Sequence, residues 1–193
     1  MGGAARCQQS QSPSSRCSHP VSEQDPFARL LKALERLSIR YVLIGVWAAN
    51  YFASHGGHVF ATEDRDFFFP PDPQNLLNAW IASRELGYEL WTGKEPLGEP
   101  LDLWLAERVT SNRALTTAIH PDGVVVDFTL VMAGFEFDAV WNERRSFRVG
   151  DVEIPVARLS QIVESKAKAN RPKDRLFLAT WEEALRDLLK DEE

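Results

Sequence analysis

Residues 41–69 read YVLIGVWAANYFASHGGHVFATEDRDFFF, and the order of the fold is legible in this one stretch. The apolar run from Tyr41 to Ile44 suits a short buried strand and is ended by Gly45. VWAANYFASH then has the composition of a helix, which the Gly56–Gly57 pair breaks. RDFFF reads as the next strand, stopped by Pro70 and Pro71. Strand, glycine, helix and strand in succession indicate an α/β chain. Asp64 and Asp66 stand at the head of the second strand. Residues i and i+2 of a strand point to one face, so the two carboxylates project together, roughly 7 Å apart at Cβ. Two like charges held side by side raise the pKa of at least one of them, whereas a divalent cation neutralises both. Magnesium takes one or two protein carboxylates and fills its remaining positions with waters and substrate phosphates, so the pair points to a metal–triphosphate site.

Outward from this stretch, DPFARLLKALERL offers Asp25 as N-cap, Pro26 in the first turn, and Phe27, Leu30, Leu31, Leu34 and Leu37 at helical spacing. DPQNLLNAWIASRELG is a second capped helix, closed by Gly87. YELW, LDLWL and GVVVDFTLVM read as strands, the last long enough to be central. FRVGDVEIPV reads as a hairpin about Gly150–Asp151, and two helices follow, ARLSQIVESKAKA and PKDRLFLATWEEALRDLLK. Asp127 lies inside the GVVVDFTLVM strand, where a charge is costly unless paired or metal-bound. It is the third candidate carboxylate, with a buried salt bridge to Arg113 or another arginine as the structural alternative.

The chain has 193 residues, 44% hydrophobic and 26% charged, enough for one domain with a substantial core. Residues 1–25, rich in Ser and Gln, are expected to form a disordered leader. Residues 26–157 are expected to form the α/β core, and 158–193 a helical part packed on it. Both cysteines, Cys7 and Cys17, fall in the leader without disulfide or metal-binding spacing, and no apolar run approaches the roughly 20 residues that cross a bilayer. A cytoplasmic protein with no membrane span is the expectation. The formal net charge of −6 disfavours a broad non-specific nucleic-acid surface. The charge is also segregated: residues 62–107 carry ten acidic groups against three basic, and residues 144–175 nine basic against four acidic. If both segments line one cleft, an acidic metal-binding wall faces a basic wall able to hold phosphates.

An apolar strand, a glycine, a helix, and Asp-x-Asp on the next strand together resemble the core of the DNA polymerase β-like nucleotidyltransferase superfamily. Gly45-x-Trp47-Ala48, Thr62 two residues before Asp64, and the tail VARLSQIVESKAKANRPKDRLFL are similar to the AbiEii-like toxin group and to small antibiotic nucleotidyltransferases. The matching tail positions are Lys166, Arg171, Pro172, Lys173 and Asp174. The resemblance implies a mixed β-sheet flanked by helices, with further helices at the C-terminus. It implies that Asp64, Asp66 and Asp127 hold Mg²⁺ or Mn²⁺ and carry catalysis, while Gly45, Val46, Thr62, Lys166, Arg171 and Asp174 bind the nucleotide. The expected reaction moves a nucleoside monophosphate from a nucleoside triphosphate to a hydroxyl on RNA or tRNA, a protein or a small molecule. A toxin of this kind would have a cognate antitoxin as partner. Val46 departs from the pattern, since the family carries a second small residue there. The alternative is therefore an inactive nucleotidyltransferase-like module that binds a nucleotide or a protein. Trp47 is the one tryptophan singled out as a candidate nucleobase platform.

Overall fold

The computed structural model describes residues 25–56 and 59–192; the leader expected over residues 1–25 lies outside them apart from Asp25. Helix α1 (Pro26–Arg36) starts where the sequence places it, with the Asp25 carboxylate accepting from the Phe27 amide at 3.0 Å. Strand β1 (Val42–Ile44), helix α2 (Gly45–Gly56) and strand β2 (Arg65–Phe68) follow in the order read from residues 41–69. Then come α3 (Pro73–Glu85), β3 (Glu89–Thr92), the two-residue β4 (Glu95–Pro96), α4 (Leu103–Ser111), β5 (Thr116–Ile119) and β6 (Val125–Thr129). Helix α5 (Phe137–Glu143), the hairpin β7 (Arg145–Val149) and β8 (Val152–Val156), and helices α6 (Leu159–Ala169), α7 (Pro172–Thr180) and α8 (Glu182–Glu192) complete the chain.

The strands form one sheet in the order β4-β3-β5-β6-β2-β1-β8-β7. It is mixed: β2 runs parallel to β6 and β1 parallel to β8, while the other neighbours are antiparallel. This is the mixed α/β sheet flanked by helices that the sequence implies. Alternation divides the central strands cleanly. Phe67 and Phe128 are paired in register and buried among Phe27, Tyr41 and Trp80, while Asp66 and Asp127 point to the other face. The terminal helices join α2 in a second apolar cluster of Ala49, Ala53, Phe60, Leu159, Leu185 and Leu188, with Val46 packed against it. Val46 is therefore part of the seam between α2 and the terminal helices.

Three readings change. LDLWL is not a strand: Asp102 caps α4, accepting from the Leu105 amide at 2.9 Å, and the buried positions are Ala106, Val109 and Thr110 at helical spacing. Its alternation of apolar residues imitates a strand, but Leu103 and Trp104 are exposed. The last predicted helix is two, because Trp181 leaves the helical path and seats its ring against Phe60, 4.9 Å between centroids. The long apolar run around Asp127 supplies only the five-residue β6, and its antiparallel partner β5 comes from TTAI, which the sequence reading left unassigned. Among the described residues no helix is long and apolar enough to cross a membrane.

Candidate active site

The site grows from one row of the sheet. Asp66 of β2 is in register with Asp127 of β6, Asp127 with Thr117 of β5, and Asp66 with Ile44 of β1. Neighbouring strands lie close to 4.8 Å apart, so two carboxylates are forced together near the middle of the sheet. The Thr117 hydroxyl donates to Asp127 Oδ1 at 2.6 Å and fixes that carboxylate; Arg113, the alternative partner considered for Asp127, pairs with Glu136 at 3.7 Å instead. Gly45 turns the chain from β1 into α2 with φ +77°, and a Cβ there would overlap Asp66 Oδ2. The glycine thus leaves room for a carboxylate as well as making the turn.

Asp66 carries the electrostatic cost of this arrangement. Burial first, then the charges of Asp127 and Asp64, lift its pKa from the ordinary 3.8 to about 6, with Lys166 and Lys173 pulling the other way. Without a cation, the folded chain keeps a proton on Asp66 between about pH 4 and 6 that the unfolded chain has released. Stability therefore falls as pH rises through that window, and ionising Asp66 costs the free protein roughly 3 kcal/mol above it. Accordingly, Asp66→Asn should be more stable than wild type in metal-free denaturation at pH 7, and the gap should close toward pH 4. A gap that does not change with pH would remove Asp66 as its source.

The basic side comes from α6 and α7. Asp174 is fully buried and gathers two cations, Lys166 at 3.2 Å and Arg171 at 2.6 Å. Its pKa stays low despite burial, because the bonds from Arg171 and Lys166 and their charges outweigh desolvation. Lys166 lies between this carboxylate and the ring of Phe177, 5.1 Å from its centroid. Lys173 reaches Asp64 at 3.9 Å, where both side chains are exposed. Upstream, Asn50 brackets Phe60, donating to its carbonyl at 2.9 Å and accepting from its amide at 2.7 Å; this holds the segment that leads to Thr62 and Asp64. The Thr62 hydroxyl then accepts from the Asp64 amide at 3.3 Å.

Two adjoining cavities open on this surface. One, of about 330 Å³, is lined by Gly45, Asp66, Asp127, Thr129, Lys166, Arg171 and Lys173, with an apolar flank that includes Leu115, Val131 and Met132. The other, of about 290 Å³, is lined by Val46, Thr62, Asp64, Asp66, Lys166, Arg171, Lys173 and Asp174. Each candidate site residue read from the sequence except Trp47 lines one or both. Thr117, whose bond orients Asp127, was not among them. Its β-branched TTAI setting beside the Asp127 strand is the signal that could have found it. Trp47 lies elsewhere: it sits under the Arg65 guanidinium at 4.2 Å, edge-on to Phe27, beside a different cavity.

Among the described residues no group of three or more His, Cys, Asp and Glu side chains is assembled to hold a metal. Asp66 and Asp127 alone are brought into register, and Asp64 stands apart with Lys173. Two hard oxygen donors whose mutual repulsion is already expressed at Asp66 suit an ion that draws its other ligands from phosphate and water.

No family model matches the chain, and no curated protein matches it. Among solved structures it is similar to the lincosamide antibiotic adenylyltransferase LnuA in its lincomycin-bound form: 15% identity, 73% of this chain and 84% of that one, TM-score 0.48. It is similar also to the antibiotic-resistance factor ANT(2'')-Ia, at 13% identity over 88% of this chain and 90% of that one, TM-score 0.49. A third likeness is to an antigenic nucleotidyltransferase-like protein from Paracoccidioides brasiliensis, at 15% identity over 75% and 65% of the two chains, TM-score 0.43. The first carries the name of one activity of the class that the sequence resembles, and the third the name of that class. At these identities and TM-scores they assign no activity to this chain.

Proposed function

We propose that this protein is a metal-dependent nucleotidyltransferase that moves a nucleoside monophosphate from a nucleoside triphosphate to a hydroxyl acceptor. The observation that carries the reading is the Asp66–Asp127 pair, in register on adjacent parallel strands and facing Lys166, Arg171 and Lys173 across one cleft. Asp66 and Asp127 would hold Mg²⁺ or Mn²⁺, with Asp64 at the entrance. When bound, the ion neutralises phosphate charge and makes the acceptor hydroxyl easier to deprotonate. The chain supplies the rest. Lys166, Arg171 and Lys173 bind the anionic phosphates, and Asp174 holds the first two in place. Thr117 aims Asp127, and Thr62 steadies the turn that presents Asp64.

Incubating the full chain with Mg²⁺, labelled ATP, CTP, GTP or UTP, and a cell lysate should place label on an acceptor. No label from any nucleotide that demonstrably binds would shift the protein to the inactive binding module. The toxin reading requires label on tRNA or protein and a cognate antitoxin, so the same labelling separates it from small-molecule transfer. A contrast within α6 tests the basic wall. Lys166→Ala should lower turnover ten- to a thousandfold, about 1.4–4 kcal/mol. Lys168 lies two residues on, pairs with Glu164 at 2.6 Å and lines neither cavity, so Lys168→Ala should stay within about threefold. Equal effects from the two would mean that α6 does not present one face to the nucleotide.

A further inference from the structure

The two cavities share Asp66, Lys166, Arg171 and Lys173, and they differ in everything else. On the nucleotidyl-transfer reading, this shared wall is where the α-phosphorus sits, so each cavity holds one side of the reaction. The 290 Å³ side carries Thr62, Asp64 and Asp174 and is the more polar in its residues, with one exposed apolar side chain, Leu176, at its edge. The 330 Å³ side adds Asp127, and beyond it Leu115, Val131, Met132 and Ile162. Leu115 and Val131 are 44% and 47% exposed, large apolar side chains left wet at the mouth of a charged cleft. Scattered exposed leucines and valines need no explanation; two of them lining one pocket beside a convergent carboxylate pair have the composition of a ligand-binding wall.

We propose that this wall seats the acceptor, and that the acceptor is a compact, uncharged hydroxyl compound with an apolar face, not a polycation or a nucleic-acid end. The apolar flank offers no counter-charge beyond Asp66 and Asp127, which the reaction itself uses, so a polycation gains nothing further from it. A polyanion would find cations only on the shared wall of Lys166, Arg171 and Lys173, where the nucleotide's own phosphates sit, and beyond it Asp127 and four apolar side chains. The volume falls at the low end of small-molecule pockets, which run from roughly 300 to 1,000 Å³. In the transfer the acceptor oxygen attacks the α-phosphorus, the bond from that phosphorus to the bridging oxygen breaks, and pyrophosphate leaves with the bonding pair. The hydroxyl proton departs to water.

The test uses the full chain, Mg²⁺, the labelled nucleotide that serves best, and one cell extract divided beforehand into four pools: butanol-extractable small molecules, water-retained small molecules, RNA and protein. Label should go to the butanol-extractable pool. Leu115→Asp with Val131→Asp, and the milder Leu115→Ser with Val131→Ser, should each cut that labelling at least tenfold while the melting shift given by Mg²⁺ plus nucleotide stays within a degree or so of wild type. Label in any other pool, or none in the butanol pool, overturns the inference. So does loss of the nucleotide-induced shift in the folded serine variant, which would make the wall a seat for the nucleobase. If the wild-type chain neither shifts with Mg²⁺–nucleotide nor labels any pool, the transferase reading itself fails, an outcome distinct from all of these.

Discussion

Replacing either carboxylate of the central pair, Asp66→Asn or Asp127→Asn, should lower transfer by about a thousandfold or more, ~4 kcal/mol of transition-state stabilisation. The two losses should look alike in rate and differ in everything else. Asp66 is the member whose pKa is lifted to about 6, so its amide relieves repulsion and the free protein gains stability. Asp127 is held by the Thr117 hydroxyl at 2.6 Å, and an amide there still accepts that bond, so its stability should change little. Thr117→Val should cost less than either, since it frees the Asp127 carboxylate without removing it. Rates measured beside melting curves would separate these cases; inactive variants that were also unfolded would leave the pair with no assigned role in the chemistry.

Asp174→Ala should be the most destabilising single change at the site, by about 3–5 kcal/mol, because it removes a fully buried carboxylate and leaves Lys166 with its ammonium in a mostly buried position. Turnover of whatever remains folded should fall at least as far as in Lys166→Ala, since Arg171 loses the same anchor. Lys166→Ala by itself leaves Asp174 paired with Arg171 and should cost far less stability. The double substitution should therefore fall short of the sum of the two. Chemical denaturation of the four proteins would show this; additive losses would mean that Asp174 and Lys166 do not act as a pair.

The candidate site is legible in the sequence where it is written in local patterns. Gly45, the Asp-x-Asp step and the Lys166–Asp174 segment each declare themselves within a few residues, although Asp64 falls just before β2 and not on it, so the strand rule does not place it beside Asp66. What could not be read is pairing. Nothing local says that β2 lies against β6, so the register of Asp66 with Asp127 and the bond from Thr117 appear only in the folded sheet. The role of Val46 is hidden for the same reason: its neighbours arrive from helices more than a hundred residues later. LDLWL misleads because a cap and one turn of an amphipathic helix can imitate the period of a strand. The break at Trp181 is set by a contact with Phe60 that no helix propensity records.

The claim on which the rest depends is that Asp66 and Asp127 form a cation site that a nucleoside triphosphate completes. Its most direct measure is the melting temperature of wild type and Asp66→Asn at pH 7.5, free and with Mg²⁺ plus nucleoside triphosphate. The wild type should melt several degrees higher with both present and little higher with either alone. Free Asp66→Asn should melt at or above the free wild type and should show no such rise. A variant that melts below wild type when free, yet gains the full increase with Mg²⁺ and nucleotide, would contradict the account.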